Sequence, residues 1–142
     1  MNELRDDRRR SRIIALIPAY NEERTIAKII LKTKKYVDKV IVCDDGSTDM
    51  TGEIAEALGA EVIRHEKNMG KGVALRSLFT RARELDPDIV VVLDADGQHN
   101  PEDIPKLINA LRERNADIVI GSRYVKGSQL EAPLYRKLGL SI

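Results

Sequence analysis

Five short apolar runs, each ended by a proline, a glycine or a polar residue, constrain the fold more than any other feature of the chain. The runs lie at residues 13–18, 40–43, 61–64, 89–93 and 118–120. Runs of this kind are typical of strands that are buried on both faces of a sheet. Between them, apolar residues recur at the three- and four-residue spacing of amphipathic helices.

Four helices are predicted between and after these strands. Asn21 is the predicted N-cap of the first helix, Gly59 ends the second, and the third begins near Gly72. Residues 100–103, Asn-Pro-Glu-Asp, open the fourth with an N-cap, a proline at the first helical position and acidic side chains in the first turn. The apolar faces of the first three are predicted as Ile26, Ile29, Ile30 and Thr33; Ile54, Ala57 and Leu58; and Ala74, Leu75, Leu78 and Ala82.

The alternation of strands and helices predicts an α/β, Rossmann-like fold, with a mostly parallel sheet of about five strands and helices on both faces. In open sheets of this kind, ligands bind outside the carboxyl ends of the strands. Polar residues at 20–22, 44–45 and 94–99 follow the first, second and fourth predicted strands. We therefore expect these three segments to meet at one edge of the sheet.

Composition narrows the class of protein. The 142 residues suit one domain, and 42% hydrophobic against 33% charged residues allow both a core and a solvated surface. A net charge of +1 and few aromatic residues argue against a nucleic-acid partner. We expect a flexible basic segment at residues 1–12 and a single domain at residues 13–142. One cysteine, Cys43, and no apolar stretch of roughly 20 residues predict a cytoplasmic location.

The sharpest single motif is Asp94-Ala95-Asp96 at the end of the fourth predicted strand. Two carboxylates so close together at the end of a buried strand are costly unless a positive charge lies between them. Hard divalent cations such as Mg²⁺ and Mn²⁺ take oxygen ligands and leave positions for phosphate oxygens. Gln98 could add a carbonyl oxygen to such a site and His99 a nitrogen. A solvated loop, with an aspartate that caps a neighbouring helix, is the alternative.

Two segments carry groups that suit a nucleoside. Tyr20 offers a flat ring for a base, and Glu22 offers an acceptor. Asp44 or Asp45 could accept hydrogen bonds from a base N–H or from ribose hydroxyls. The residues that follow at 47–49 are ordinary turn and N-cap types.

Cationic side chains follow two other strands. Lys71 lies between two glycines at the start of the third predicted helix, an arrangement that suits a phosphate, although the segment does not match a Walker A loop. Arg123 follows the fifth predicted strand and could bind a phosphate bidentately, with Arg136 extending the basic surface. A tight turn with a solvated lysine, and surface arginines, are the alternatives.

Together these motifs are far more specific than any one of them. In order and spacing, residues 18–22, 44–49, 68–75, 94–103 and 121–124 resemble family 2 glycosyltransferases of the GT-A fold. The run Asp-Ala-Asp-Gly-Gln-His-Asn-Pro-Glu-Asp and the later Gly-Ser-Arg-Tyr resemble the dolichyl-phosphate mannose and glucose synthase branch. The similarity extends from residue 12 to about residue 140, nearly the whole chain.

The resemblance implies a role for each matching residue. Positions that line the nucleotide pocket correspond to Pro18, Tyr20, Glu22 and Asp45, with Asp44 beside them; we add Ala19, Lys71, Asp94 and Ala95 to the nucleotide-binding set. Asp94, Asp96 and Gln98 match the site of the metal and the diphosphate. Arg123 and Arg136 match positions that meet the acceptor phosphate. Asp94, Asp96 and Arg123 are the expected catalytic residues.

The implied reaction is hexose transfer, with inversion, from GDP-mannose or a UDP-glucose type of donor to a polyprenyl (dolichyl) phosphate, with Mg²⁺ or Mn²⁺ on the diphosphate. A phosphate acceptor is already anionic at neutral pH and needs no general base, unlike a hydroxyl acceptor. The chain ends where the acceptor-side half of such a domain should continue. We expect that missing region to carry association with the cytoplasmic face of a membrane.

Two other functions compete with this one. A catalytically incomplete module that only binds nucleotide sugars would also fit the early end of the chain. A sugar nucleotidyltransferase shares the α/β plan but carries a glycine-rich, arginine-containing loop after its first strand, where this chain has Pro-Ala-Tyr-Asn-Glu at residues 18–22. A dinucleotide-binding fold is disfavoured because no Gly-x-Gly-x-x-Gly follows that strand.

Overall fold

A computed structural model of the chain describes residues 11–117 and shows an alternating α/β fold. The strands are β1 (Ile13–Ala19), β2 (Lys39–Asp44), β3 (Glu61–Arg64) and β4 (Ile89–Val92). The helices are α1 (Ile26–Thr33), α2 (Thr51–Ala57), α3 (Lys71–Leu85) and α4 (Ile104–Glu113), with a short 3₁₀ helix at Pro101–Asp103 before the last. The predicted strand at residues 118–120, Arg123, Arg136 and the first ten residues lie outside the described range.

The four strands form one parallel sheet in the order β3-β2-β1-β4. β1 lies between two neighbours: Ala19 pairs with Asp44 of β2, and Leu16 pairs with Val92 of β4. The chain therefore moves outward from β1 to β3 and then crosses back to place β4 on the other side of β1. This reversal is the point at which open α/β sheets form a crevice for ligands.

The direction of each crossover explains why helices cover both faces. Crossovers between parallel strands are right-handed, so α1 and α2, which connect strands in one direction, share a face, while α3, which returns, covers the other. α1 and α2 contact each other, and α3 contacts β1 and β2. The core beneath α3 consists of Ile14, Leu16, Ile41, Cys43, Ala74, Leu78 and Ala82. Burial of each large apolar side chain there contributes about 1.5–3 kcal/mol. The predicted fold class is confirmed.

The fold contains two compact units, which meet in sequence after Pro101. Residues 11–101 include the whole described sheet and α1 to α3, and α4 belongs to the second unit. Within α4, Ile104 and Ile108 are buried and share one side of the helix. No helix in the described part of the chain has the length and apolar content that crossing a bilayer would require.

Three local predictions were wrong in detail. Asn21 does not cap α1: it has a φ of 50°, its side-chain oxygen accepts the backbone N–H of Thr48, and the helix begins at Ile26. In α2 the buried alanine is Ala55 rather than Ala57. The proline of the Asn-Pro-Glu-Asp segment lies in the 3₁₀ turn instead of at the start of α4. The side chain of Asn21, which local spacing assigned to a helix cap, bonds instead to Thr48, a partner distant in sequence.

Candidate functional site

A cavity of about 340 Å³ opens at the carboxyl ends of β1, β2 and β4. Its volume falls at the small end of the range for small-molecule sites, roughly 300–1,000 Å³. The lining residues are Pro18, Ala19, Tyr20, Glu22, Asp45, Asn68, Gly70, Lys71, Ala74, Asp94, Ala95 and Asp96. Every residue predicted to bind the nucleotide lies in this set except Asp44, while Asn68, Gly70 and Ala74 were not predicted. A second cavity, of about 320 Å³, lies at the amino ends of β2 and β3 beside Lys39 and Glu61, away from these residues.

The segments that follow β1 and β2 are joined by hydrogen bonds, and this junction sets one wall of the cavity. The backbone N–H of Asn21 donates to Ser47 Oγ, and that of Glu22 donates to Thr51 Oγ1, each at 2.9 Å. Further bonds run from Thr48 N to Asn21 Oδ1, from Glu23 N to Asp49 Oδ2 and from Met50 N to Glu23 Oε2. Tyr20 stands at the rim with 45% of its surface exposed, so its ring is available to a ligand.

Asp45 is the most constrained carboxylate of the cavity. It is 3% exposed, and its oxygens accept the backbone N–H groups of Met69 and Gly70, each at 2.9 Å, and bond the ring of His65 at 2.7 Å. Burial opposes ionisation, but the hydrogen bonds from His65, Met69 and Gly70 outweigh it and lower the pKa of Asp45. Asp45 therefore stays ionised at neutral pH and holds the loop that carries Asn68 and Gly70 against the pocket.

Asp44 has a different environment from its neighbour. It is buried, its Oδ1 accepts the backbone N–H of Ser47 at 3.0 Å, and Gly52 packs so closely that a Cβ there would lie 2.4 Å from Asp44 Oδ2. Asp44 does not line the cavity. Its observed contact holds the turn that follows β2, and its role at the nucleotide stays a prediction.

His65 was missed by the sequence analysis, although it directly follows the third strand. Its Nδ1 lies 2.7 Å from Asp45 Oδ1 and its Nε2 lies 2.9 Å from Ser77 Oγ on α3. Because an ionised carboxylate only accepts, Nδ1 carries a proton and donates it to Asp45, while Nε2 and the Ser77 hydroxyl form the second hydrogen bond of the ring. Cys43 Sγ lies 3.7 Å from Nε2, and burial, with the nearby charges of Asp45 and Asp44, raises the pKa of this thiol to about 12.

Asp94 lies between two nitrogen-bearing side chains. Its Oδ1 accepts Lys71 Nζ at 2.7 Å. Its backbone N–H donates to His99 Nδ1 at 3.0 Å, so the proton of the neutral His99 ring is on Nε2, which lies 3.6 Å from Asp94 Oδ2. The N-terminus of α3 and the loop after β4 thus meet through an ion pair that borders the cavity.

The loop that carries Asp96 is anchored at its base. Thr25 Oγ1 donates to the carbonyl oxygen of Ala95, which is buried. Asp96 Oδ1 accepts the backbone N–H of Gln98 at 2.9 Å, and Gly97 has a φ of 83°, which the turn between them requires. Asp96 borders the cavity, whereas Gln98, a predicted metal ligand, does not line it.

Asp94 and Asp96 suit a hard cation only if other ligands complete the site. Within residues 11–117, no three His, Cys, Asp or Glu side chains converge as a metal site. The two carboxylates nevertheless border one cavity, and the ammonium group on Asp94 Oδ1 shows that this oxygen takes a positive charge from the cavity side. Mg²⁺ is commonly bound by one or two carboxylates together with phosphates and water. The donor set therefore fits a divalent cation that a diphosphate helps to hold.

Comparison with known proteins identifies the family of the chain. The family model described as Glycosyl transferase family 2 matches residues 14–136. A dolichol-phosphate mannosyltransferase of Pyrococcus furiosus is 40% identical over 136 residues, which cover 89% of this chain and 38% of the enzyme. A UDP-N-acetylglucosamine–dolichyl-phosphate N-acetylglucosaminyltransferase of Methanococcus voltae is 37% identical over 147 residues, 89% of this chain and 58% of that protein.

A solved structure agrees in fold. Glucosyl-3-phosphoglycerate synthase of Mycobacterium tuberculosis, in complex with Mn²⁺, UDP-glucose and phosphoglyceric acid, matches with a TM-score of 0.61 and 34% identity. The match covers 78% of this chain and 42% of the synthase. The chain thus spans 38% to 58% of the length of these relatives.

Proposed function

The chain belongs to glycosyl transferase family 2, and we propose that its cavity binds a nucleotide sugar whose hexose passes, with inversion, to a polyprenyl phosphate. The observation that carries the proposal is the cavity at the reversal of strand order, where Asp94, Asp96 and Lys71 meet beside the exposed ring of Tyr20. Tyr20 and Asp45 offer a flat surface and an ionised acceptor for a base. Asp94, Asp96 and Lys71 offer groups suited to a cation and a diphosphate.

Each group of lining residues has a chemical task. Asp45, kept ionised by its hydrogen bonds, accepts a base N–H, and the ring of Tyr20 packs against the base. Lys71, at the N-terminus of α3, meets the diphosphate, whose charge the helix terminus also favours. Asp94 and Asp96 would hold Mg²⁺ or Mn²⁺. The chemistry that a bound ion would supply there is to offset the charge that develops on the departing nucleoside diphosphate.

The acceptor is the least constrained part of the proposal. Two relatives carry dolichol phosphate or dolichyl phosphate in their names, and a phosphate acceptor needs no general base. We assign the acceptor phosphate to Arg123 and Arg136. With a lipid-linked acceptor, the reaction takes place at the cytoplasmic face of a membrane.

Calorimetry on Asp96→Ala tests the metal-dependent binding. We expect wild-type protein to bind GDP-mannose or UDP-glucose more tightly with Mn²⁺ than without it, and Asp96→Ala to lose this gain, because removal of one of two carboxylates removes a cation ligand. Glu66→Ala, which removes an exposed carboxylate that does not line the cavity, is the matched control. Undiminished affinity of Asp96→Ala in Mn²⁺ would refute the assignment.

A turnover assay separates catalysis from binding. The protein is incubated with each nucleotide sugar, Mn²⁺ and a polyprenyl phosphate, and the released nucleoside diphosphate and the glycolipid are both measured. We expect the two products in equal amounts. Tight binding without either product would instead support a module that binds the nucleotide sugar and lacks catalysis, consistent with the partial coverage of the relatives.

A further inference from the structure

Lys71 occupies one of the two carboxylate oxygens of Asp94, a residue proposed to hold the cation. Its Nζ lies 2.7 Å from Asp94 Oδ1, and both residues border the cavity. The lysine side chain is 62% exposed, and Gly70 and Gly72 flank it with open space where a Cβ would stand. The lysine therefore has room to leave this position.

We propose that Lys71 is an exchangeable counter-ion, which neutralises Asp94 before the ligands bind and moves to the diphosphate when the cation binds. The proposal rests on the proposed function, because it requires a cation and a nucleoside diphosphate to share the cavity. It assigns Lys71 a second role, as the residue that couples the binding of one ligand to that of the other.

Charge and distance make the two states of Asp94 mutually exclusive. A cation of the Mg²⁺ class binds a carboxylate oxygen at roughly 2.0–2.1 Å and demands a regular ligand geometry. An ammonium group in hydrogen-bond contact with the same oxygen would lie beside a divalent ion in a partly desolvated cavity, where like charges repel strongly. Lys71 must therefore release Asp94 Oδ1 before the ion occupies it.

The released lysine has a suitable destination. A lysine ammonium is a compact charge on a flexible four-carbon stem, so it can move several ångströms without backbone change. Phosphate oxygens near the N-terminus of α3 would receive it, because that end of the helix also favours anions. His99 does not replace it at Asp94: His99 Nδ1 accepts the Asp94 backbone N–H, and Nε2 stays 3.6 Å from Oδ2.

Exchange of the lysine predicts reciprocal cooperativity. A diphosphate that attracts Lys71 frees Asp94 and raises cation affinity, and by thermodynamic linkage the cation raises diphosphate affinity by the same factor. Direct contact between cation and phosphate adds to this factor whether or not Lys71 is present. The contribution of the lysine is therefore measured by its removal.

The test compares Lys71→Met with Lys67→Met, which removes an exposed lysine of the loop before α3 that does not line the cavity. Titration calorimetry measures the affinity for Mn²⁺ alone, for GDP and UDP alone, and for each nucleotide at saturating Mn²⁺. We expect Lys71→Met to bind Mn²⁺ alone about 5- to 10-fold more tightly than wild type and to bind the nucleotide alone more weakly. The coupling factor should fall several-fold from a value in the range of about 5 to 150.

The outcomes distinguish a failed inference from a failed function. Opposite changes in the affinities for Mn²⁺ and for the nucleotide in Lys71→Met, absent in Lys67→Met, support the exchange. Similar changes in both variants would reflect a general loss of positive charge and would overturn the exchange. Unchanged Mn²⁺ affinity and coupling in Lys71→Met, with wild-type binding intact, overturn the exchange alone. Wild-type protein that binds neither Mn²⁺ nor nucleotide overturns the proposed function and the exchange with it. Lys71→Gln is measured in the same way, and circular dichroism spectra of both Lys71 variants exclude a folding defect caused by the methionine.

Discussion

His65 supports the cavity through its hydrogen bond to Asp45, and the sequence analysis identified Asp45 but not His65. The resemblance to the family assigned Asp45 to the nucleotide pocket, and in the structure Asp45 borders the cavity. The sequence did not reveal that its oxygens are engaged by His65, Met69 and Gly70. These partners lie 20 to 25 residues away, so no local spacing points to them.

Replacement of His65 tests this support. His65→Ala leaves the buried Asp45 carboxylate with one charged hydrogen bond fewer, so we expect a loss of about 1–3 kcal/mol in the free energy of unfolding. The loop of Asn68 and Gly70 should also loosen, which weakens nucleotide binding. Urea unfolding and calorimetry measure the two effects. Ser77→Ala removes only the outer bond to the ring and should cost less; equal losses in both variants would contradict the central place of the Asp45 contact.

At the scale of secondary-structure elements, hydrogen bonds join the segment after β1 to the segment after β2. Residues 47–49 have the composition of a turn and an N-cap, and the sequence analysis assigned them accordingly. In the structure Asp49 accepts the backbone N–H of Thr51 at the start of α2, as a turn or cap residue would. Ser47, Thr48 and Asp49 also bond to backbone or side-chain atoms of residues 21–23, which the sequence did not predict. Hydroxyl and carboxylate groups can cap a helix or bond a distant backbone equally well. The distant bonds form because the pairing of β1 with β2 brings the two segments together, and local sequence does not reveal that pairing.

Gly46 allows the segment after β2 to approach the loop after β3. Its φ is 75°, and a Cβ would lie 2.3 Å from the carbonyl carbon of Lys67 and 2.4 Å from the amide nitrogen of Asn68. Gly46→Ala should therefore destabilise the protein by about 3 kcal/mol or more, through backbone strain and overlap together.

Gly72→Ala is the matched control for this substitution. Gly72 lies in the first turn of α3 with nothing within 4 Å of a Cβ, so alanine there should be neutral or stabilising by up to about 1 kcal/mol. Guanidinium unfolding of both variants measures the difference. A loss at Gly46 no larger than the change at Gly72 would show that the loops can move apart without cost.

Across the whole molecule, the alternating pattern was enough to predict a parallel sheet with helices on both faces. It did not predict the order β3-β2-β1-β4, because buried parallel strands have similar apolar patterns and nothing local marks a neighbour. Helix ends were predicted less accurately than the sheet. Asn21 was expected to cap α1, but the helix is preceded by Thr25, which makes no side-chain cap. Arg123 and Arg136 stay predictions, as does a strand at residues 118–120.

Acid sensitivity of the fold follows from two carboxylates. The pKa of Asp49, like that of Asp45, lies below its ordinary value of 3.8, since hydrogen bonds from Thr51 and Glu23 outweigh its burial. A lowered folded-state pKa adds stability that is fully present above the unfolded value and is lost as the pH falls through the folded one. We therefore expect urea midpoints to hold from pH 6 towards pH 4 and to drop below about pH 4 through loss of these two charges.

Asp49→Asn isolates one of the two contributions. The variant should be less stable than wild type at pH 6, and the gap between the two proteins should narrow as the pH falls below the ordinary carboxyl value of 3.8. Urea unfolding of both proteins at several pH values measures that gap. A gap that stays constant down to pH 2 would show that Asp49 stabilises the fold by packing rather than by its charge.

The buried thiol beneath α3 has a practical consequence. Cys43 is the only cysteine in the chain, it is fully buried, and its raised pKa keeps it as an unreactive thiol at neutral pH. Maleimide dyes and spin labels should leave the native protein untouched. A cysteine introduced at the rim of the cavity would then be the one position that such a reagent marks, and ligand entry could be followed by fluorescence without first removing Cys43.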